Sequence, residues 1–243
     1  MENTTYIGLS RQLGLRRAMD AVAHNIANAN TPGFKAERLV FREYLANPES
    51  RDELSFVQDV GMARDLTNGP LTTTGNDFDV AITEQAGYFV IDTPLGERYS
   101  RHGRFQLDAD GQLVTGNGYP VQGQNGPITI NSDDGRISIA SDGTISNDQG
   151  VIGKLRVVDF EDPQLLRKAA NGLFSAPPEA GAQDVGTPSL AQGMIEESNV
   201  QPVLELTRMM QINRTHESVT RFLKSEDDRI KDMIDKLARQ GQA

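Results

Sequence analysis

Two stretches of this chain repeat apolar residues at three- and four-residue steps, and they lie near its opposite ends. Between Val203 and Leu237 there is no Gly or Pro, and Met209, Ile212, Val219, Leu223, Ile230, Met233 and Leu237 fall on one line interrupted by His216 and Glu226. That spacing makes a narrow seam, about two positions in seven, rather than the broad stripe of a helix lying on a globular core. A helix of this length would run roughly 50 Å at 1.5 Å per residue. Pro202 suits its first turn and Ser198 or Asn199 its cap. Acid-to-base pairs at four-residue spacing (Glu217–Arg221, Asp227–Lys231, Asp232–Lys236, Asp235–Arg239) support the solvent face by roughly 0.2–0.5 kcal/mol each. Such a helix is marginal alone, so its seam calls for a second helix.

The other stretch runs from about Thr5 to Ala29. Leu15, Met19, Val22 and Ile26 step 4-3-4, Tyr6, Leu9 and Leu13 extend the apolar character toward the start, and Ala18, Ala21, Ala23 and Ala27 flank the line. Two arrangements fit this pattern: an amphipathic helix on a core of its own, or a helix laid against the distant C-terminal seam. The second puts both extremities in one helical domain. Asn28-Ala29-Asn30-Thr31-Pro32-Gly33 then supplies the stop, because Pro32 pushes Thr31 out of the α region and Gly33 accepts positive φ. Phe34, Leu39, Phe41, Tyr44 and Leu45 follow as an apolar segment that fits either a short helix or an extended arm, and residues from Asn47 to about Thr74 read as connecting arm with room for one strand.

From Gly75 the period changes to two. Phe78/Val80/Ile82, Ile128/Ile130 and Ile137/Ile139 alternate, and Tyr88–Ile91, Arg98–Ser100, Arg104–Leu107, Gln112–Thr115 and Lys154–Phe160 read as short strands. Between them lie turn chemistries rich in Gly, Asn and Asp, which supply positive φ. The expected fold class is therefore α+β, with paired, coiled-coil-like terminal helices and a central all-β domain of short strands. Residues 1–35 are assigned to the N-terminal helix, 36–74 to a connecting arm, 75–185 to the β domain, 186–200 to a return linker and 201–243 to the C-terminal helix.

Composition narrows the function. Hydrophobic residues make up only 37% of the 243, so part of the apolar surface is expected to be completed by other subunits. The net charge of −10 is uneven: residues 1–46 hold 6 basic against 4 acidic side chains, residues 203–243 hold 8 against 7, and the middle holds 10 against 23. Nucleic acid and anionic membrane are poor partners for that surface. No apolar run is long enough to span a bilayer, and the start lacks the pattern of a cleaved secretory signal. Cysteine is absent, which removes thiolate chemistry and disulfides. His24, His102 and His216 stand apart, with no metal-ligand spacing. Asp108-x-Asp110-Gly111 opens like a calcium loop but lacks its remaining acidic positions, so it reads as a hairpin turn. Asp133/Asp134 sit in a turn, and a chain with no Trp and 6% aromatics offers little to stack a sugar. Catalytic, cofactor and metal sites are all expected to be absent. The rival from another class is a secreted β-rich protein that binds or cleaves glycans.

Three segments carry a resemblance. Asn25-Ile26-Ala27-Asn28-Ala29-Asn30-Thr31-Pro32-Gly33-Phe34-Lys35 resembles the N-terminal signature of the flagellar basal-body rod and hook proteins. Gly193-Met194-Ile195-Glu196-Glu197-Ser198-Asn199-Val200 and the following helix resemble that family's C-terminal signature. Asp79–Ile82, Gly87–Phe89, Tyr99-Ser100-Arg101-His102-Gly103-Arg104-Phe105 and Asp110–Val114 resemble the stretch shared by its longer members. Total length and the opening Tyr6–Gln12 look more like the proximal-rod branch than the distal-rod branch. The chain departs from the family at Glu84-Gln85-Ala86, where a Gly-containing turn is usual, and at His216, where an aromatic is usual.

The resemblance implies a structural subunit of the torque-bearing rod that crosses the periplasm. Its partners would be copies of itself, other rod proteins and the flagellar type III export apparatus. The assembly interface it implies comprises Leu15, Met19, Val22, Ile26, Asn28, Gly33, Phe34, Asn199, Met209, Ile212, Val219, Leu223, Ile230, Met233 and Leu237.

Overall fold

The computed structural model describes residues 2–46, 54–131 and 135–240, with side chains described within 6–40, 61–131 and 135–236. The side chains of Phe41, Tyr44, Leu45 and Leu237, and the Asp133/Asp134 pair, fall outside the described set. The chain divides into two compact units. One comprises Met1–Ala27, Glu37–Arg64 and Gln201–Ala243, and the other Asn28–Ala36 and Asp65–Val200.

The first unit holds two helices, α1 (Glu2–Ala27) and α2 (Pro202–Gln240), and a hairpin of β1 (Glu37–Ala46) and β2 (Leu54–Arg64). The helices run antiparallel side by side. Gly8 meets Leu223, the Gln12 amide donates to Thr220 Oγ1 at 2.9 Å, and the Asn25 amide donates to Glu205 Oε2 at 3.4 Å. Of the two arrangements open to the N-terminal pattern, the structure takes the one in which both ends of the chain lie together. The lack of a side chain at Gly8 lets Leu223 sit directly against the α1 backbone; a Cβ there would make the Leu223 side chain shift. The seams face inward, with Val22 and Val219 buried and Leu15, Met19, Ile26, Met209, Ile212, Leu223 and Ile230 half-buried. On the solvent face of α2, Lys231 pairs with Asp227 at 2.6 Å at the expected spacing, whereas Arg221 donates to Ser218 at 3.3 Å.

Residues 36–74, expected to be an arm, contain the longest pair of strands among the described residues. β1 and β2 pair antiparallel from Glu37↔Arg64 to Ala46↔Leu54, with a bulge between Val40 and Phe41. α1 packs on both strands. Asn25 on α1, 1% exposed, pins the start of β1 at two points: its amide nitrogen donates to Glu37 O at 2.8 Å, and its oxygen accepts Glu37 N–H at 2.9 Å.

The second unit is the β domain. Its strands include β3 (Leu71–Thr73), β4 (Val80–Ile82), β5 (Tyr88–Ile91), β6 (Arg98–Ser100), β7 (Phe105–Leu107) and β8 (Leu113–Thr115). The largest sheet has six antiparallel strands in the order Arg167–Lys168, Phe174–Ser175, β6, β5, Val157–Phe160, Ala182–Asp184. β5 sits inside it and is buried along its whole length, since both sheet faces are covered. Phe89 and Ile91 join one core with Val80, Ile82, Phe105 and Leu113. Tyr88 and Val90 join the other, where the Phe160 ring lies edge-on to Tyr88 and Tyr99 at 5.5 and 4.8 Å. The β7–β8 turn confirms the hairpin reading of Asp108-x-Asp110-Gly111: Asp108 Oδ1 accepts the N–H groups of Asp110 and Gln112 at 2.9 and 2.8 Å. The segment expected to be a plain return linker adds two strands to the unit. Leu190–Gln192 pairs with β4 and Met194–Glu196 pairs with β3.

Candidate functional site

The stop signal after α1 folds as its residue types dictate. Thr31 N–H returns to Asn28 O at 3.1 Å, Phe34 N–H to Thr31 O at 3.2 Å, and Gly33 takes φ 69°. A Cβ at Gly33 would collide with the Arg101–His102 peptide, so glycine is required there twice over. The turn delivers Phe34, Lys35 and Ala36 alongside the segment that precedes α2. Gly33 N–H donates to Glu196 O at 2.8 Å, Asn199 N–H donates to Phe34 O at 3.3 Å, and Ala36 N–H donates to Asn199 Oδ1 at 2.7 Å. The Asn199 amide nitrogen also reaches Asp65 O and Thr67 O at 3.0 and 2.9 Å. Asn199, read from sequence as a possible helix cap, instead ties three separate chain segments together.

At the centre is a buried trio of charges. Lys35 Nζ and Arg101 Nε each lie 2.6 Å from Glu196, one on each carboxylate oxygen, with all three side chains at most 4% exposed. Isolated buried ions are costly unless paired and hydrogen-bonded throughout, and here the satisfaction is thorough. Glu196 Oε1 also accepts Gly69 N–H at 3.0 Å. Lys35 donates to Thr67 O at 2.7 Å and Asn68 Oδ1 at 3.3 Å. Arg101 donates to Gly87 O at 2.6 Å, to Asn68 Oδ1 at 3.1 Å and to Glu84 O. The second positive charge therefore rests on main-chain carbonyls. The Glu84-Gln85-Ala86 departure supplies one of them through its backbone, which any residue type could do. Burial pushes the Lys35 ammonium below its ordinary range; the hydrogen bond and charge of Glu196 oppose that push, and Arg101 adds to it.

Both carboxylate oxygens and both cations are fully engaged within the chain. The trio holds β3, the Gly33 turn and the segment leading to α2 in one place. Among the described residues there is no group of three or more His, Asp or Glu side chains placed to hold a metal ion. No helix of the described residues is long and apolar enough to cross a membrane.

The structure divides the interface residues read from sequence into two groups. Leu15, Met19, Val22, Ile26, Met209, Ile212, Val219 and Leu223 lie along the α1–α2 pairing of one unit, while Ile230 is half-buried past its end, Met233 is 37% exposed and Leu237 lies outside the described side chains. Asn28, Gly33, Phe34 and Asn199 belong to the other unit and shape the turn around the charge trio. Sequence reasoning passed over Lys35, Arg101, Glu196 and Asn25 as individual residues, although all four lie inside the quoted segments. The available signal was a charged or amide residue beside an obligatory glycine or within a buried strand.

Family models match the chain at three places. Residues 6–35 match the flagella basal body rod protein, 82–147 the flagellar hook protein FlgE/F/G D1 domain, and 191–236 the flagellar basal body rod FlgEFG protein C-terminal region. Each matched segment contributes one member of the charge trio. The chain is 39% identical to flagellar basal-body rod protein FlgF of Caulobacter vibrioides over 98% of its own length and 99% of the relative's. It is 33% identical to FlgF of Mesorhizobium japonicum (95% and 98%), and 30% identical to flagellar basal-body rod protein FlgG of Bacillus subtilis (96% and 98%).

Proposed function

The chain belongs to the flagellar basal-body rod protein family, and from that premise we propose that it is an F-type subunit of the proximal rod. Membership makes it a structural component of the basal body that assembles with other rod components. The finer reading is that it polymerises through its terminal helices, coiled-coil fashion, into the shaft that transmits torque across the periplasm. On this reading it leaves the cell through the flagellar type III apparatus without a cleaved signal, and it catalyses no reaction.

The observation that carries this reading is the state of α1 and α2. Although paired with each other, they leave Tyr6, Leu9, Leu13, Val203, Leu204, Leu206, Met210, Phe222, Met233 and Ile234 exposed, ten of the sixteen large apolar side chains that reach solvent among the described residues. Large apolar side chains left at the surface of both helices in that number are what a subunit covered by neighbours would carry. A deletion strain should be non-motile, should regain swimming on complementation, and should lack the protein's band in purified basal bodies. Full motility without the gene, or peptidoglycan hydrolysis by the purified chain, would overturn the proposal.

A further inference from the structure

Beside the α1–α2 seam lies a hollow of about 460 Å³, within the size range of small-ligand sites. It is open because its lining is small at three places, Gly8 on α1 and Thr215 and Ser218 on α2. Its floor is the buried Val219, and its walls include Ile7 and Phe222, the latter 49% exposed.

The pairing of the helices orders these groups along the hollow. Gly8 stands opposite Leu223 and Gln12 opposite Thr220, so Arg11 is level with about position 221 and Ile7 with about position 224. Thr215, Ser218 and Arg11 therefore occupy one end, and Phe222 and Ile7 the other. The polar end is built of donors. Arg11 makes no hydrogen bond or ion pair among the described residues. Ser218 Oγ accepts from Arg221 at 3.3 Å, which leaves its own proton free and holds a second guanidinium nearby. No Asp or Glu lines the hollow. An apolar helix laid across it would trap Arg11 and the Ser218 hydroxyl without an acceptor, the cost that attends any buried unmet donor.

We infer that the hollow binds an anionic amphiphile with a single apolar tail, its head on Arg11 and Ser218 and its tail over Val219 between Ile7 and Phe222. From position 215 to the level of Ile7 the hollow runs roughly 14 Å at 1.5 Å per residue. An extended chain advances about 1.2 Å per atom, which sets the ligand at about eleven atoms from head to tail. A fatty acid carboxylate of this length meets both requirements, since a guanidinium matches a carboxylate in charge and in plane. In this pose the ligand covers Ile7 and Phe222, so it and any protein surface packed over the same hollow exclude each other. Such binding goes beyond the rod reading and stands or falls separately from it.

Titration calorimetry of the purified full chain tests this with three amphiphiles of one tail length, each kept below its micelle-forming concentration: decanoate, decanol and decyltrimethylammonium. Decanoate should bind saturably with one molecule per chain. Decanol should bind about ten-fold or more weakly, the worth of a charge-assisted hydrogen bond, and the cation should show no saturable binding. Arg11→Gln, at an exposed position, should bring decanoate down to the affinity of decanol with the helical signal unchanged. Ser218→Phe, which fills the hollow, should remove decanoate and decanol alike. Equal affinity for the three heads, uptake of decanoate without saturation, or wild-type decanoate affinity in either variant overturns the inference.

Discussion

Lys35 Nζ lies 2.6 Å from Glu196 Oε1, with both side chains withdrawn from water and 161 positions of chain between them. Glu196 is the only anion of the trio, so replacing it by Gln leaves two buried cations without a counter-charge. Breaking a buried pair in this way costs about 3–5 kcal/mol. Lys35→Met removes a charge together with its desolvation cost, and leaves Glu196 still bound to Arg101 and Gly69. Thr67 O keeps its bond from Asn199 and Asn68 Oδ1 its bond from Arg101, so the loss is about 1–3 kcal/mol, that of the charge-assisted hydrogen bonds Lys35 had made. Urea unfolding followed by tyrosine emission should rank the variants wild type, Lys35→Met, Glu196→Gln in falling order of stability. Equal stability of all three would show that the trio adds nothing to the fold.

A pair of glycines separates backbone strain from close approach. Gly33 and Gly75 have nearly the same dihedral, φ 69° and 72°, but only Gly33 faces another chain segment where its Cβ would stand. Gly75→Ala should cost about 1–2 kcal/mol for the left-handed backbone alone. Gly33→Ala should cost that plus about 1–3 kcal/mol of overpacking against the Arg101–His102 peptide. Matching midpoints in thermal unfolding would contradict this.

Much of this architecture was readable from the sequence because it depends on local repetition. The 4-3-4 step of Leu15, Met19, Val22 and Ile26 reports a buried face wherever the partner lies, and Asp108-x-Asp110-Gly111 folds its turn with its own side chain. The pairing of β1 with β2 was not legible because Glu37-Arg38-Leu39-Val40-Phe41-Arg42-Glu43-Tyr44-Leu45-Ala46 does not alternate with period two, which left helix and extended arm both open, and what anchors its start is the Asn25 amide on a different element. The charge trio was illegible for a related reason. Lys35, Arg101 and Glu196 each look like ordinary solvated residues until the fold brings them together, and no periodicity encodes a partner so far away.

Acid should weaken the β unit through His102. Burial, with Arg104 second, pushes the imidazole below its ordinary value of 6.5, against a smaller upward pull from Asp79. The folded chain therefore stays neutral there while the unfolded chain takes up a proton. The unfolded state binds more protons between the lowered value and 6.5, so the stability contributed by neutral His102 is complete above pH 6.5 and is lost as pH falls through the folded value. His102→Gln should flatten the stability–pH curve of the chain across that window, and an unchanged slope would rule His102 out as its source.

The seam makes the sharpest demand on function. Leu223 packs against Gly8, and Ile26 is half-buried at the other end of the same pairing, one turn from the buried Val22. An aspartate at either position places a carboxylate in an apolar contact with no cation built to receive it, and the helix pair must open or hydrate to accommodate the charge. The β unit has its own two cores and its own hydrogen-bonded charge trio, so it should keep its fold. Ile26→Asp and Leu223→Asp are therefore expected to abolish swimming in soft agar and to lower the helical signal at 222 nm (about the usual wavelength for helix), while the tyrosine-reported unfolding of the β unit stays at its wild-type midpoint. Phe222→Asp, on an exposed neighbour of Leu223, should leave the helical signal of the isolated chain unchanged. Wild-type swimming by either seam variant would mean that the pairing of α1 with α2 is dispensable for assembly.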